Sequence, residues 1–131
     1  MRVFVDTSAF LAVLNADDSN HVTAKAVWEN LLRSRTSLFT TSYVLVETYA
    51  LIQHRLGIEA ARTFHEDIEP LLNIEWIDSP LHSMGTSVVL GAYRRRLSLV
   101  DTVSFVAMRK LGIKKAFAFD QHFTEQGFEC P

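Results

Sequence analysis

Short apolar runs alternate along the chain with longer stretches in which apolar side chains recur every three or four residues. The runs are Val3-Phe4-Val5, Leu38-Phe39-Thr40, Asn73 to Asp78 around Ile74 and Ile77, and Ala116-Phe117-Ala118-Phe119. Their length and composition suit strands buried on both faces of a parallel sheet. Between them, helical spacing predicts helices over Ser8 to Leu14, Val22 to Arg33, Thr41 or Ser42 to near Gly57, Ile58 to Leu72, Ser79 to Arg96 and Val100 to Leu111. Ala16 to His21 reads as a polar loop. Ser79-Pro80 supplies a capping residue and a first-turn proline. Gly85 and Gly91 weaken the middle of that helix, and Gly112 stops the next. Phe128-Glu129-Cys130 reads as a short edge strand. Strands alternating with helices predict βαβ units, hence an α/β chain with a mostly parallel sheet covered on both faces. No linker, repeat or charge block divides the chain, so residues 1–131 are expected to form one domain.

Composition narrows this picture. Hydrophobic residues make up 48% and charged residues 21% of the 131, the balance of a globular chain that buries roughly two-thirds of its unfolded surface. No apolar run approaches the ~20 residues of a spanning helix, and Asp6 interrupts what would be the core of a signal peptide. The single cysteine, Cys130, has no partner within the chain. A cytoplasmic location is the expectation. The formal net charge of −2 argues against nucleic-acid binding through a broad basic face. Such a role would rest on local patches, with Arg94-Arg95-Arg96, Arg109-Lys110, Lys114-Lys115 and Arg33 with Arg35 as candidates, or on metal ions that offset an acidic site. The mean hydropathy of +0.10 leaves room for a subunit interface, and a homodimer is expected.

Four carboxylates carry the candidate chemistry, and each also has an ordinary explanation. Asp6 ends the first strand where a helix begins, at the sheet edge where open α/β folds bind ligands; the same position suits a helix cap. Glu47 has Tyr43, Val44, Ala50 and Leu51 as helical neighbours, which sets it in a cleft or in an ion pair. Asp101 follows Leu97-Ser98-Leu99-Val100, and Ser98 with Asp101 fits a capping box. Asp120 repeats the arrangement of Asp6, with an Asx-turn as its plain reading. Two parallel strands ending in Asp place both carboxylates on one sheet edge, and the helices of Glu47 and Asp101 enter from strand ends of the same polarity. Convergence of all four would raise some of their pKa values unless a cation sat among them. An all-oxygen set favours Mg²⁺ or Mn²⁺ over zinc.

With these elements in order, the sequence resembles the PIN-domain family of metal-dependent nucleases. The resemblance rests on Val5-Asp6-Thr7-Ser8, Leu45-Val46-Glu47, Leu97-Ser98-Leu99-Val100-Asp101 and Phe119-Asp120-Gln121-His122-Phe123. It spans essentially the whole chain and is strongest toward the compact VapC-type toxin group. It implies an α/β/α sandwich, and RNA cleavage with one or two Mg²⁺ or Mn²⁺ ions. By position it implies that Asp6, Glu47, Asp101 and Asp120 form the acidic quartet, with Thr7, Ser8 and Ser104 as supporting hydroxyls. The implied partners are RNA and a small antitoxin protein; a housekeeping RNA-processing nuclease is the other reading within the family.

In such a site the metal lowers the pKa of its water and polarises the phosphoryl oxygen. Magnesium uses only one or two direct carboxylates, so Asp6 and Asp101 are expected as direct ligands and Glu47 and Asp120 as looser ones. No histidine is required. His21, His54, His65, His82 and His122 show no zinc-ligand spacing, and His122 reads as an exposed loop residue. A haloacid-dehalogenase-type phosphatase needs a second Asp where Ser8 stands, and a phosphoreceiver needs a lysine where Asp120 stands. A Walker nucleotide binder lacks its glycine-rich run. A nuclease-like fold kept as a protein-binding module is the rival of a different class.

Overall fold

The computed structural model describes residues 1–131. Its centre is a four-stranded, all-parallel sheet of β1 (Arg2–Val5), β2 (Ser37–Thr41), β3 (Leu72–Glu75) and β4 (Ala116–Phe117), in the order β3-β2-β1-β4. Phe4 registers with Phe39 on one side and Ala116 on the other. The chain steps outward from β1 to β2 to β3, then crosses back to lay β4 against the free side of β1. That reversal between β1 and β4 makes a crevice at their carboxyl ends, the switch point of an open parallel sheet.

Helices α1 (Thr7–Leu14), α2 (His21–Arg33), α3 (Ser42–Leu56), α4 (Ile58–Thr63), α5 (Ser79–Ala92), α6 (Leu99–Leu111) and α7 (Gln121–Glu125) cover the sheet. Alternation along β1 assigns its faces. Val3 shares a cleft with Val27 and Leu31 of α2. Phe4 points the other way, its ring 6.2 Å from that of Phe123 in α7, which in turn meets Phe105 of α6 edge-on at 5.0 Å. Val3, Phe4 and Val5 are all buried, as a central strand between two helical layers requires. The result is the expected three-layer α/β/α sandwich. No helix is long and apolar enough to cross a membrane.

Several elements end sooner than their periodicity suggests. The helix expected over Ile58 to Leu72 stays α-helical only to Thr63, widens into a π-helical turn over Phe64–Ile68 and tightens into a 3₁₀ turn over Glu69–Leu71. Pro70 has no N–H and crowds the carbonyl of Glu66, so a regular α-helix cannot run through it. The strand expected to reach Asp78 stops at Glu75, because its partner β2 ends at Thr41, opposite Glu75. Helix α5 ends at Ala92, with Tyr93 in the left-handed region (φ 55°), so Arg94 to Arg96 lie beyond the helix. The fourth strand is two residues rather than four. Past Phe117 the backbone of β1 has already turned into α1, and the Phe119 N–H donates to the Ser8 hydroxyl at 3.0 Å instead of to a strand carbonyl. At the chain's end only Glu129 pairs with the sheet, through a single bridge to Lys115.

Candidate active site

Asp6, Glu47, Asp101 and Asp120 line one cleft at the switch point, together with Thr7, Ser8, Arg96 and Ser98. Residues spread from position 6 to position 120 thus meet because β1, α3, α6 and the segment after β4 all deliver their acids to one edge. A second cavity, more apolar, lies at the opposite end of the strands between Met1, Val3, Val27 and Phe117 and holds no convergent acids.

Each acid is fixed by its own local geometry. Asp6 is the cap of α1, accepting from the Ser8 N–H at 3.2 Å and from the Ser8 hydroxyl at 2.7 Å. Ser8 thereby links β1, α1 and the chain leaving β4. Asp101 and Ser98 form a reciprocal capping box at the start of α6, with both bonds at 3.1 Å. Asp120 caps α7, its Oδ1 accepting from the His122 N–H at 2.9 Å. Glu47 is half-buried in the middle of α3. The capping explanations of Asp6, Asp101 and Asp120 are therefore all realised, and the three acids still converge.

Electrostatics reflect that convergence. Burial pushes the Asp6 carboxyl up to about 7, the Ser8 hydrogen bonds oppose the shift, and Asp101 and Asp120 add repulsion. Burial also raises Glu47, with a Thr7 hydrogen bond in opposition and repulsion from the same two aspartates. Asp101 is raised chiefly by burial; hydrogen bonds from Ser98 counter this and Asp120 reinforces it. Carboxyls raised by burial and by repulsion from one another are what a cation would relieve. The donor set is rich in hard oxygen, and these residues fit a divalent ion.

The supporting hydroxyls divide. Ser8 bonds to Asp6, and Thr7 accepts from the Thr48 hydroxyl at 3.1 Å beneath the cleft. Ser104 is buried and donates to the Val100 carbonyl at 2.8 Å within its own helix, outside the cleft lining. Among the basic candidates, Arg94 is engaged with Glu125 at 2.9 Å and Lys110 with Glu75 at 3.1 Å. Arg96 is exposed and stands at the cleft.

His122 departs from expectation. Rather than an exposed loop residue it is a buried residue of α7, 7% accessible, with Nδ1 facing Asp120 and Asp101. The reason is Phe123, which is fully buried against Phe4, Phe105 and Phe128. It pins the short helix to the sheet and carries the neighbouring imidazole inward. The Asp-x-His spacing followed by an aromatic was the available signal.

A parallel sheet of this order, with acids from two strand ends and two helices facing one cleft, defines a PIN domain. The PIN-domain family model matches residues 3–129, and the chain belongs to that family. Within it, the chain is 35% identical over 127 residues to the 23S rRNA-specific endonuclease VapC20 of Mycobacterium tuberculosis, covering 96% of this chain and 95% of that protein. It is 24% identical over 125 residues to a VapC ribonuclease of Aquifex aeolicus, covering 95% and 92%. The crystal structure of M. tuberculosis VapC20, described as a sarcin-ricin loop cleaving toxin, superposes with a TM-score of 0.83 at 34% identity over 96% of this chain and 95% of that one. The structure of FitAcB from Neisseria gonorrhoeae shares the fold alone, with a TM-score of 0.71 at 12% identity over 99% and 96% of the two chains.

Proposed function

We propose that this chain is a divalent-metal-dependent endoribonuclease and the toxin of a toxin–antitoxin pair, with Asp6, Glu47, Asp101 and Asp120 as its metal-holding, catalytic acids. The observation that carries the reading is four carboxylates from distant parts of the sequence on one cleft, in a chain whose relatives are named as ribonucleases. When bound, Mg²⁺ or Mn²⁺ supplies Lewis acidity that makes water nucleophilic near neutral pH and stabilises charge on the phosphoryl oxygens. The protein's own share is orientation. The Ser8 hydroxyl holds Asp6 Oδ2 and the Ser98 backbone N–H holds Asp101 Oδ2, which fixes both carboxylates at the cleft. Thr7 and Ser8 support that arrangement from below, while Ser104 stabilises α6 itself. Arg96 at the cleft is the cation we assign to the substrate phosphate.

Ribosomal RNA is the first substrate to assay, because it is the one named for the relative that is 35% identical over 96% of this chain. Pairing with a small antitoxin protein and with a second copy of the chain is part of the same reading. It is supported by the exposure of Val46, Trp76 and Leu90, which are 67%, 69% and 70% accessible. A cytoplasmic site of action belongs to the same reading. A binding module without turnover is disfavoured, since clustered acids cost stability and serve no docking purpose.

Asp6→Asn tests the reading. The variant is expected to lose at least about a hundredfold in RNA cleavage, the least that losing several kcal/mol of charge stabilisation implies. Its far-ultraviolet circular dichroism should remain that of the unsubstituted chain. Near-normal cleavage by a clean preparation contradicts the assignment.

A further inference from the structure

We propose that the His122 imidazole is itself a metal ligand, so that Asp101, Asp120 and His122 form a mixed nitrogen–oxygen seat that prefers Mn²⁺ to Mg²⁺. The proposal rests on the metal-dependent reading above and adds a donor that the acidic quartet does not contain.

The His122 side chain is 9% exposed, and its Nδ1 is buried without a hydrogen-bond partner. A buried polar atom left in that state costs stability and calls for an explanation. Nδ1 lies 2.8 Å from Asp120 Oδ1 and 3.7 Å from Asp101 Oδ2. Ligand atoms from all three residues fall within 4.8 Å of one another. Donors ~2.1 Å from one ion are about 3 Å apart when adjacent in an octahedron and about 4.2 Å apart when opposed. The 2.8 Å separation is close to the adjacent spacing and the 3.7 Å separation lies between the two, although no hydrogen bond joins the imidazole to either carboxylate.

The imidazole is also preorganised. Asp120 Oδ1 accepts from the His122 backbone N–H, which ties the carboxylate to the residue whose ring stands beside it. Phe123 anchors the same turn in the core, in contact with Phe4 and Phe105. Ring and carboxylates are thus held together before any ion arrives, which lowers the cost of assembling the site. Imidazole nitrogen is a poor donor to Mg²⁺, which takes oxygen, whereas the first-row transition ions accept it, Mn²⁺ the least strongly among them but more readily than Mg²⁺. A nitrogen at this position therefore biases the cleft toward Mn²⁺.

The test is pulsed electron paramagnetic resonance of Mn²⁺ bound to the intact, RNA-free protein, together with Mn²⁺ and Mg²⁺ affinities from calorimetry. Nitrogen modulation from a directly ligated imidazole is expected, and it should vanish in His122→Gln. The same substitution should weaken Mn²⁺ binding by roughly tenfold or more and leave Mg²⁺ binding within about twofold. His122→Asn serves the same purpose if the first variant fails to fold, and absence of modulation in the unsubstituted protein decides the matter without either. Tightly bound Mn²⁺ with no nitrogen modulation, or modulation that survives the substitution, overturns the ligand assignment and leaves the nuclease reading standing. No Mn²⁺ binding at millimolar concentration overturns both.

Discussion

At the scale of single residues, the cleft is a set of helix caps that also converge. A cap contributes about 1 kcal/mol, enough to explain Asp6, Asp101 or Asp120 alone but silent on why they meet. The cost of meeting is visible at Asp6, whose carboxyl is raised to about 7 by burial first and by Asp101 and Asp120 after it. The folded, metal-free protein therefore holds a proton there that the unfolded chain releases near pH 4. Stability must fall as pH rises from about 4 to about 7, by an amount on the order of 4 kcal/mol for this group. In chelated protein the urea midpoint is expected to be higher at pH 5 than at pH 8, and Asp6→Asn should flatten the difference. Equal midpoints for the unsubstituted protein would contradict the electrostatics of the cleft. The acids were legible because a carboxylate at a strand end or on an apolar helix face stands out locally. His122 stood out only through its spacing from Asp120 and the aromatic after it, because its burial depends on Phe123 meeting Phe4 and Phe105, long-range contacts.

At the scale of elements, the position of Asp101 depends on how closely α6 approaches α5. Gly85, which reads in sequence as a weak point of its helix, is where the two touch. A Cβ there would lie 2.4 Å from Val103 Cγ2 and 3.3 Å from the Val103 backbone. Valine is stiff at χ1 and buried here, so the overlap is not relieved by a simple rotation. Gly85→Ala is expected to destabilise by about 1–3 kcal/mol despite the gain of up to ~1 kcal/mol in helix propensity. Thermal unfolding checks this, and an unchanged midpoint would mean that the helices do not pack as described. Periodicity located α1, α3 and α6 and placed the strands, since amphipathic spacing is local, but it missed α7, the five-residue helix that Asp120 caps. It could not foresee that α5 stops at Tyr93 or that the segment after α4 widens and then tightens before β3. Those endings follow from Pro70, from the left-handed Tyr93 and from what each segment packs against. Releasing Arg94 to Arg96 from the helix is what leaves Arg96 at the cleft.

At the scale of the whole molecule, alternation of strands and helices announced a parallel sheet, but not the order β3-β2-β1-β4 that sets Asp6 beside Asp120. That order is a long-range outcome of the crossover from β3 back to β4. It also reconciles a net charge of −2 with a polyanionic substrate. A divalent ion held as proposed would neutralise the negative charge concentrated at the switch point, and holding RNA would then need no broad basic surface. Sharing of one divalent ion by these acids is read out by thermal unfolding of chelated protein with and without millimolar Mn²⁺. A ligand that binds only the folded form adds about 2.7 kcal/mol at a hundred times its Kd. The unsubstituted protein should therefore melt several degrees higher with Mn²⁺ and Asp6→Asn should gain much less, whereas superimposable curves for the unsubstituted protein would contradict the claim.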